Sequence, residues 1–251
     1  MNGLDGKGVL VSGGSRGIGR AAAQRFLEEG ARVFIGGLEP AEVEATVADL
    51  EPAGRIQGLA GDISREDDVA ALVGAAETTL GGIDVLINNA GTAWKEPFLE
   101  ITAASWDRML EVNLRGMFLV GQAVARRMVE AGHGGAIVNM ASTNGLGGEA
   151  EYAHYNASKA GVVLLTKTMA VELGGLGIRV NCVCPGFIDT PLNESLATEE
   201  EMLAYERERV PLGRRGRAEE VAAAYAFLAS DDASFVHGEA LVVDGGQTAV
   251  M

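Results

Sequence analysis

The stretch Ser12-Gly13-Gly14-Ser15-Arg16-Gly17-Ile18-Gly19 decides the fold. It follows the apolar run Gly8-Val9-Leu10-Val11-Ser12, which reads as a strand, and precedes residues 20–29, which read as a helix stopping at Gly30. Glycines at 13, 17 and 19 let the backbone turn tightly and approach a pyrophosphate, while the N-terminus of the next helix faces the negative charge. The spacing is Gly-x-x-x-Gly-x-Gly, not the commoner Gly-x-Gly-x-x-Gly. Flexible turns share such patterns. A strand before and a helix after favour a dinucleotide site.

Outward from this turn the same alternation repeats. Strands are expected at residues 31–35, 56–60, 84–87, 136–140, 178–184 and 240–243, and helices at 41–50, 65–80, 105–131 (one or two) and 155–173. Short apolar strands alternating with helices imply βαβ units and a parallel sheet covered on both faces. Right-handed crossovers make it a single doubly wound, Rossmann-type α/β sheet. Residues 1–251 read as one domain. Residues 190–217 interrupt the pattern: they are rich in Glu and Arg, carry Pro191 and Pro211, and read as a substrate lid.

Composition narrows the function. The 251 residues carry a net charge of −15, with 47% hydrophobic and 22% charged residues. Such an acidic surface opposes nucleic acid, anionic membrane and acidic carrier proteins. No apolar stretch reaches membrane-spanning length, and residues 1–7 lack the apolar region of a signal peptide. Cys182 and Cys184, two apart on a strand, point to one face and read as reduced thiols of a cytoplasmic protein. No metal site is expected of two cysteines without a nearby histidine.

Tyr155 and Lys159 sit four apart in Tyr155-Asn156-Ala157-Ser158-Lys159, at the start of the helix expected over 155–173. Residues at that spacing share a helix face. An adjacent ammonium favours phenolate, so the tyrosine is expected to titrate closer to neutrality and to exchange protons with an alcohol or ketone. A surface tyrosine beside a solvated lysine is the plainer reading of the pair alone. Tyr152 lacks such a partner, since Asn156 follows it by four; with His154 it reads as pocket or surface.

Taken together, the Gly13/Gly17/Gly19 turn, Asp62, Asn88-Asn89-Ala90-Gly91, Asn113, Ser142, Tyr155 with Lys159, and Pro185-Gly186 followed by Thr190 resemble the short-chain dehydrogenase/reductase family over the whole chain. The resemblance implies an oxidoreductase that moves a hydride between NAD(P) and a secondary alcohol or ketone. It implies Tyr155 as general acid/base and Lys159 as the group that lowers its pKa and bonds the nicotinamide ribose. Ser142 orients the substrate oxygen, and Asn113 holds a water linking Lys159 to solvent. Asp62 meets the adenine, Asn89 and Gly91 line the ribose beside it, and Ile188 and Thr190 meet the carboxamide. Ser15, Arg16, Ile18, Ile63, Ala90, Pro185 and Gly186, with Tyr155 and Lys159 themselves, complete the cofactor-binding positions.

Cofactor choice is contested within the sequence. The second strand ends in Gly36-Gly37-Leu38-Glu39, without the Asp or Arg that commonly selects NAD or NADP. Arg16 would suit a 2′-phosphate, whereas Glu39 would repel it; the acidic balance tips the expectation to NAD. The pocket is expected from residues 92–96, 143–152, Phe187 and 190–210. A 3-ketoacyl carrier-protein reductase would use the same residues. A non-catalytic dinucleotide sensor would be expected to lack Tyr155 or Lys159. The helix over 160–173 is apolar nearly all round. It therefore needs either a second copy, with a homotetramer as the family-like assembly, or cover from the 190–217 segment. The apolar terminus Thr248-Ala249-Val250-Met251 also favours a partner.

Overall fold

The computed structural model describes residues 1–194, 196 and 198–250; Ser195 and Ala197 of the expected lid and Met251 of the apolar terminus lie outside the described residues. In chain order the elements are β1 (Gly8–Ser12), α1 (Gly17–Glu28), β2 (Arg32–Gly37), α2 (Pro40–Leu50), β3 (Ile56–Ala60), α3 (Glu66–Leu80), β4 (Val85–Asn88), α4 (Ala103–Leu110), α5 (Met117–Ala131), β5 (Gly135–Met140), α6 (Ala153–Leu173), β6 (Ile178–Pro185), α7 (Pro191–Glu194), α8 (Glu199–Arg209), α9 (Ala218–Ala229) and β7 (Ala240–Val243). The strands form a seven-stranded sheet in the order β3-β2-β1-β4-β5-β6-β7. Every pairing in it is parallel.

The strands run apolar because both faces are covered. Val9, Val11, Val33 and Ile35 pack with Ala22 and Phe26 of α1, Val43 of α2 and Val221 and Tyr225 of α9. Leu10, Phe34, Leu86 and Ile137, one residue out of phase, pack instead with Leu72 and Val73 of α3 and Val120 and Val124 of α5. The doubly wound sheet is therefore as expected. Its order reverses between β1 and β4, and the crevice beyond the carboxyl ends of those strands is where such folds bind ligands.

Several boundaries differ from the sequence reading. α1 begins at Gly17, so the last glycines of the turn already form its first turn. Residues 105–131 hold two helices, α4 and α5, joined by a π-helical stretch, Glu111–Gly116, that carries Asn113. α9 had no expected counterpart; it packs against α1 and completes one layer. The expected lid contains α7 and α8, the latter started by a reciprocal capping box between Thr198 and Glu201. Leu164 and Val171 of α6 remain 66% and 84% exposed, so the 190–217 segment does not cover them. No helix among the described residues is long and apolar enough to cross a membrane.

Candidate active site

One cleft of about 720 Å³ opens at the carboxyl edge of the sheet and is lined by the glycine turn, the ends of β2 to β6, and α8. Its phosphate end is set by backbone. Gly13 has φ +64°, and a Cβ there would lie 2.7 Å from the Ala90 Cα; a Cβ on Gly19 would strike the Gly13 carbonyl. Only glycine permits this approach of turn to helix. Arg16, the residue before α1, offers no side-chain cap, so the first-turn amides at Gly17 and Ile18 face the cleft as anion donors. Asn89 ties the turn to β4: its Nδ2 donates to the Gly13 carbonyl at 3.0 Å, and its backbone N–H donates to Ser12 Oγ at 3.0 Å. These residues fit a dinucleotide pyrophosphate.

Asp62, expected to meet the adenine, is already engaged. It accepts from Ser64 N at 2.9 Å and Ser64 Oγ at 2.7 Å and pairs with Arg108 at 3.4 Å, contacts that hold its carboxyl below the usual range despite burial. Ile63 beside it is buried against the α3–α5 layer. The second strand ends near a residue the sequence reading missed. Glu42 of α2 lines the cleft, accepts from Ser15 Oγ at 3.2 Å and pairs with Arg16 at 3.6 Å. Thr46 Oγ1 donates to the Ser15 carbonyl at 2.7 Å, fixing the turn on α2. Glu42 falls one helical turn past Glu39, a spacing that was legible only once the start of α2 was known.

The residues expected to be catalytic come together where β4, β5 and α6 meet. Tyr155 and Lys159 lie on one face of α6, with Lys159 Nζ 5.7 Å from the centroid of the Tyr155 ring. Lys159 is 2% exposed and donates to the Met140 carbonyl at 2.9 Å. Burial depresses its ammonium to about 8. The expected lowering of Tyr155 is not what this geometry gives. Although the residue keeps partial solvent access, burial pushes its phenol up to about 12; the Ser142 hydroxyl counters this and the Glu149 carboxylate adds to it. The ammonium, 5.7 Å from the ring centre, is bonded to the Met140 carbonyl and not to the phenol, and desolvation wins.

Ser142 follows β5 and caps a short turn, accepting from Asn144 N at 3.1 Å. Asn113 is fully buried, and its side chain is spent on Thr92: Nδ2 donates to the Thr92 carbonyl and Oδ1 accepts from Thr92 N, both at 2.8 Å. The same Nδ2 also reaches Ser158 Oγ at 3.3 Å, so the side chain positions the Gly91–Thr92 loop on α6. A Cβ on Gly91 would come 3.1 Å from Asn113 Oδ1 and 3.5 Å from Lys159 Nζ, so glycine keeps the loop close to both.

Of the residues expected to meet the nicotinamide, Pro185 ends β6, Gly186 N donates to the Val243 carbonyl at 3.0 Å, and Ile188 and Thr190 are buried at the cleft. Thr190 Cγ2 lies 3.7 Å from where a Gly17 Cβ would stand, which brings the start of the lid to the phosphate turn. Trp94, Asn144, Glu149, Tyr152, Phe187, Tyr205 and Gln247 line the same cleft. Tyr205 and Gln247 escaped the sequence reading as partners. Nothing in their spacing joins them, yet Gln247 Nε2 donates to Tyr205 Oη at 2.8 Å. His154 is neither on the surface nor among the residues lining the cleft: it is buried in the first turn of α6, edge-on to Trp94 at 5.3 Å, and its Nδ1 accepts from Tyr155 N at 2.9 Å. Cys182 and Cys184 are free and buried in β6. Among the described residues no group of three or more His, Cys, Asp or Glu is arranged to hold a metal ion.

Comparison with known proteins gives this arrangement its class. A family model described as Enoyl-(Acyl carrier protein) reductase matches residues 13–248. The chain is 45% identical over 243 residues to cis-4-hydroxycyclohexanecarboxylate dehydrogenase of Sinomonas cyclohexanicum, covering 96% of each chain. It is 39% identical over 244 residues to the 3-oxoacyl-[acyl-carrier-protein] reductase FabG of Thermotoga maritima, covering 97% of this chain and 98% of that one. The crystal structure of a short-chain type dehydrogenase/reductase from Mycobacterium marinum superposes with a TM-score of 0.93 at 37% identity, over 98% of this chain and 96% of that one. The chain belongs to the short-chain dehydrogenase/reductase family. It is an oxidoreductase of CH–OH groups that works with NAD or NADP.

Proposed function

We propose that the protein interconverts a secondary alcohol and its ketone, with Tyr155 as the general acid/base. The observation that carries this reading is the convergence of Ser142, Tyr155 and Lys159 with the glycine turn in one cleft. When bound, the nicotinamide accepts or supplies the hydride. Ser142 Oγ and Tyr155 Oη hold the substrate oxygen, where charge develops as the hydride moves. Tyr155 Oη gives its proton to that oxygen in reduction and takes it back in oxidation. Lys159 Nζ would bond the ribose hydroxyls and keep positive charge beside the phenol. The Asn113 backbone carbonyl, in its π-helical stretch, would hold the water that passes protons to Lys159.

NAD is the preferred cofactor in this reading. The Arg16–Glu42 pair supports it: a 2′-phosphate would have to displace Glu42 and would also face Glu39. Residues 190–217 act as the substrate lid of a single-domain enzyme. α8 lines the cleft through Met202 and Tyr205, and Arg215 holds it to Asp189 at 3.4 Å and Glu199 at 2.7 Å. The exposed Leu164 and Val171 of α6 support a homotetramer, since closed symmetric assembly is the usual cover for such a face. The protein is a cytoplasmic enzyme in this account, in keeping with its two free thiols. The 3-ketoacyl carrier-protein alternative uses the same catalytic residues, but a net charge of −15 opposes docking of an acidic carrier. The test is reduced-nicotinamide absorbance with NAD or NADP against a panel of secondary alcohols and ketones. Turnover is expected, faster with NAD; no turnover with either cofactor would contradict the reading.

A further inference from the structure

We propose that Glu149, backed by Tyr205 and Gln247, binds a second hydroxyl of the substrate, so that the enzyme acts on a neutral diol or polyol rather than on a monofunctional alcohol or a hydroxy acid. The inference rests on the reading of Tyr155 as the acid/base and adds the substrate class. Glu149 lines the same cleft as Ser142 and Tyr155. Its Oε2 accepts from Asn144 Nδ2 at 2.9 Å, and Tyr205 lines the same cleft. The Tyr205 hydroxyl is held in turn by Gln247 Nε2 at 2.8 Å. Glu149 is thus held by a neutral donor from the loop after β5, and it faces the Gln247–Tyr205 pair across the cleft they share.

A carboxylate offers about four acceptor positions, and on Glu149 the Asn144 amide fills one of them. A partly desolvated carboxylate without a cation is costly unless further donors reach it. A substrate hydroxyl supplies one. Gln247 Oε1, also at the cleft, is a buried acceptor with no hydrogen-bond partner among the described residues. The pocket therefore presents acceptors where a substrate must bring donors. The carboxylate raises Tyr152, Tyr155 and Tyr205 alike, which sets it within electrostatic reach of the reacting oxygen. The second hydroxyl then belongs near the first. Phe187, whose ring meets Tyr205 at 4.9 Å, and Trp94 supply apolar surface for a ring that carries both. An anionic substrate would face the Glu149 charge, while Lys95 at the cleft lies in the field of Glu201.

The competing account makes Glu149 a clamp only, since its carbonyl also accepts from Asn156 Nδ2 at 3.0 Å. A matched panel separates the two: cyclohexanol, the vicinal cyclohexanediols and hydroxycyclohexanecarboxylate, each with its ketone, using wild type, Glu149→Leu and Tyr205→Phe. Wild type is expected to favour a diol over cyclohexanol in kcat/KM by about tenfold or more, because a site built to bond a hydroxyl rejects the analogue lacking it. Glu149→Leu should shrink that ratio to within about threefold, and Tyr205→Phe, which deletes one hydroxyl, should shrink it in part. Equal turnover of cyclohexanol or the hydroxy acid by wild type would overturn the inference, as would an equal loss on every substrate in the variants. Should Glu149→Leu fail to fold, the wild-type panel and Tyr205→Phe still decide. Turnover without diol preference defeats this inference alone; no turnover of any alcohol or ketone defeats the oxidoreductase reading as well.

Discussion

The Lys159 ammonium stands 5.7 Å from the centre of the Tyr155 ring and is bonded to the Met140 carbonyl at 2.9 Å. The two groups are neighbours on α6 but not a hydrogen-bonded pair, and burial governs both. It lifts the phenol to about 12 and drops the ammonium to about 8. At neutral pH the site holds a protonated phenol and a charged lysine, which is the state ready to protonate a ketone oxygen.

The two reaction directions should therefore answer pH differently. Oxidation needs the deprotonated phenol, whose fraction grows as pH climbs toward 12. kcat/KM for the alcohol is expected to rise steadily from about pH 6 to about pH 8, while that for the ketone stays level or falls. Initial-rate profiles in both directions check this. Oxidation that slows with rising pH over that range would contradict it.

Replacing Lys159 should stabilise the fold while disabling the site. Its folded value, about 8, lies below its ordinary 10.5. Between those values the unfolded chain binds more protons than the folded one, so this group's contribution rises with pH across that window and is least favourable below it. Lys159→Met is expected to raise stability at pH 7 by up to about 3 kcal/mol, a gain that shrinks toward pH 10. Thermal unfolding at several pH values measures it. A variant less stable than wild type at pH 7 would contradict it.

Cofactor preference should turn on Glu42. Glu42→Gln frees Arg16 for a 2′-phosphate and removes a repelling charge. NADP affinity relative to NAD is expected to rise about three- to tenfold. Titration of both cofactors decides the matter; an unchanged ratio would place the selector elsewhere.

The face of α6 bearing Leu164 and Val171 should be an intersubunit contact. Light scattering of wild type is expected to give four times the chain mass of 26.1 kDa. Leu164→Glu should lower that mass by burying a charge at the contact. A monomeric wild type would contradict the assembly.

How much of this was open to sequence reading follows from how local each signal is. β1, β3 and β7 matched their expected bounds, because an apolar run between turn residues is a local pattern. The glycine turn and the Tyr155–Lys159 spacing were legible for the same reason. α9 was missed although Glu219 and Glu220 open it and Val221, Ala222, Tyr225, Ala226 and Ala229 keep helical spacing. Its signal sits directly after an irregular segment that drew the reading away. The sign of the Tyr155 shift was not legible, because desolvation depends on what the fold gathers around the phenol, the Tyr152 ring at 5.8 Å and Ser142 among it. Glu42, Tyr205 and Gln247 join the site only through tertiary structure, from α2, α8 and the chain end.

The central claim is that Tyr155 carries the proton in a site whose cofactor is held by other groups. Tyr155→Phe removes one hydroxyl from α6 and leaves the glycine turn and Lys159 in place. The direct measurement is kcat beside the nicotinamide dissociation constant for this variant. The account predicts a fall in kcat of at least about 10²-fold with cofactor affinity nearly unchanged. Turnover within about threefold of wild type would contradict it.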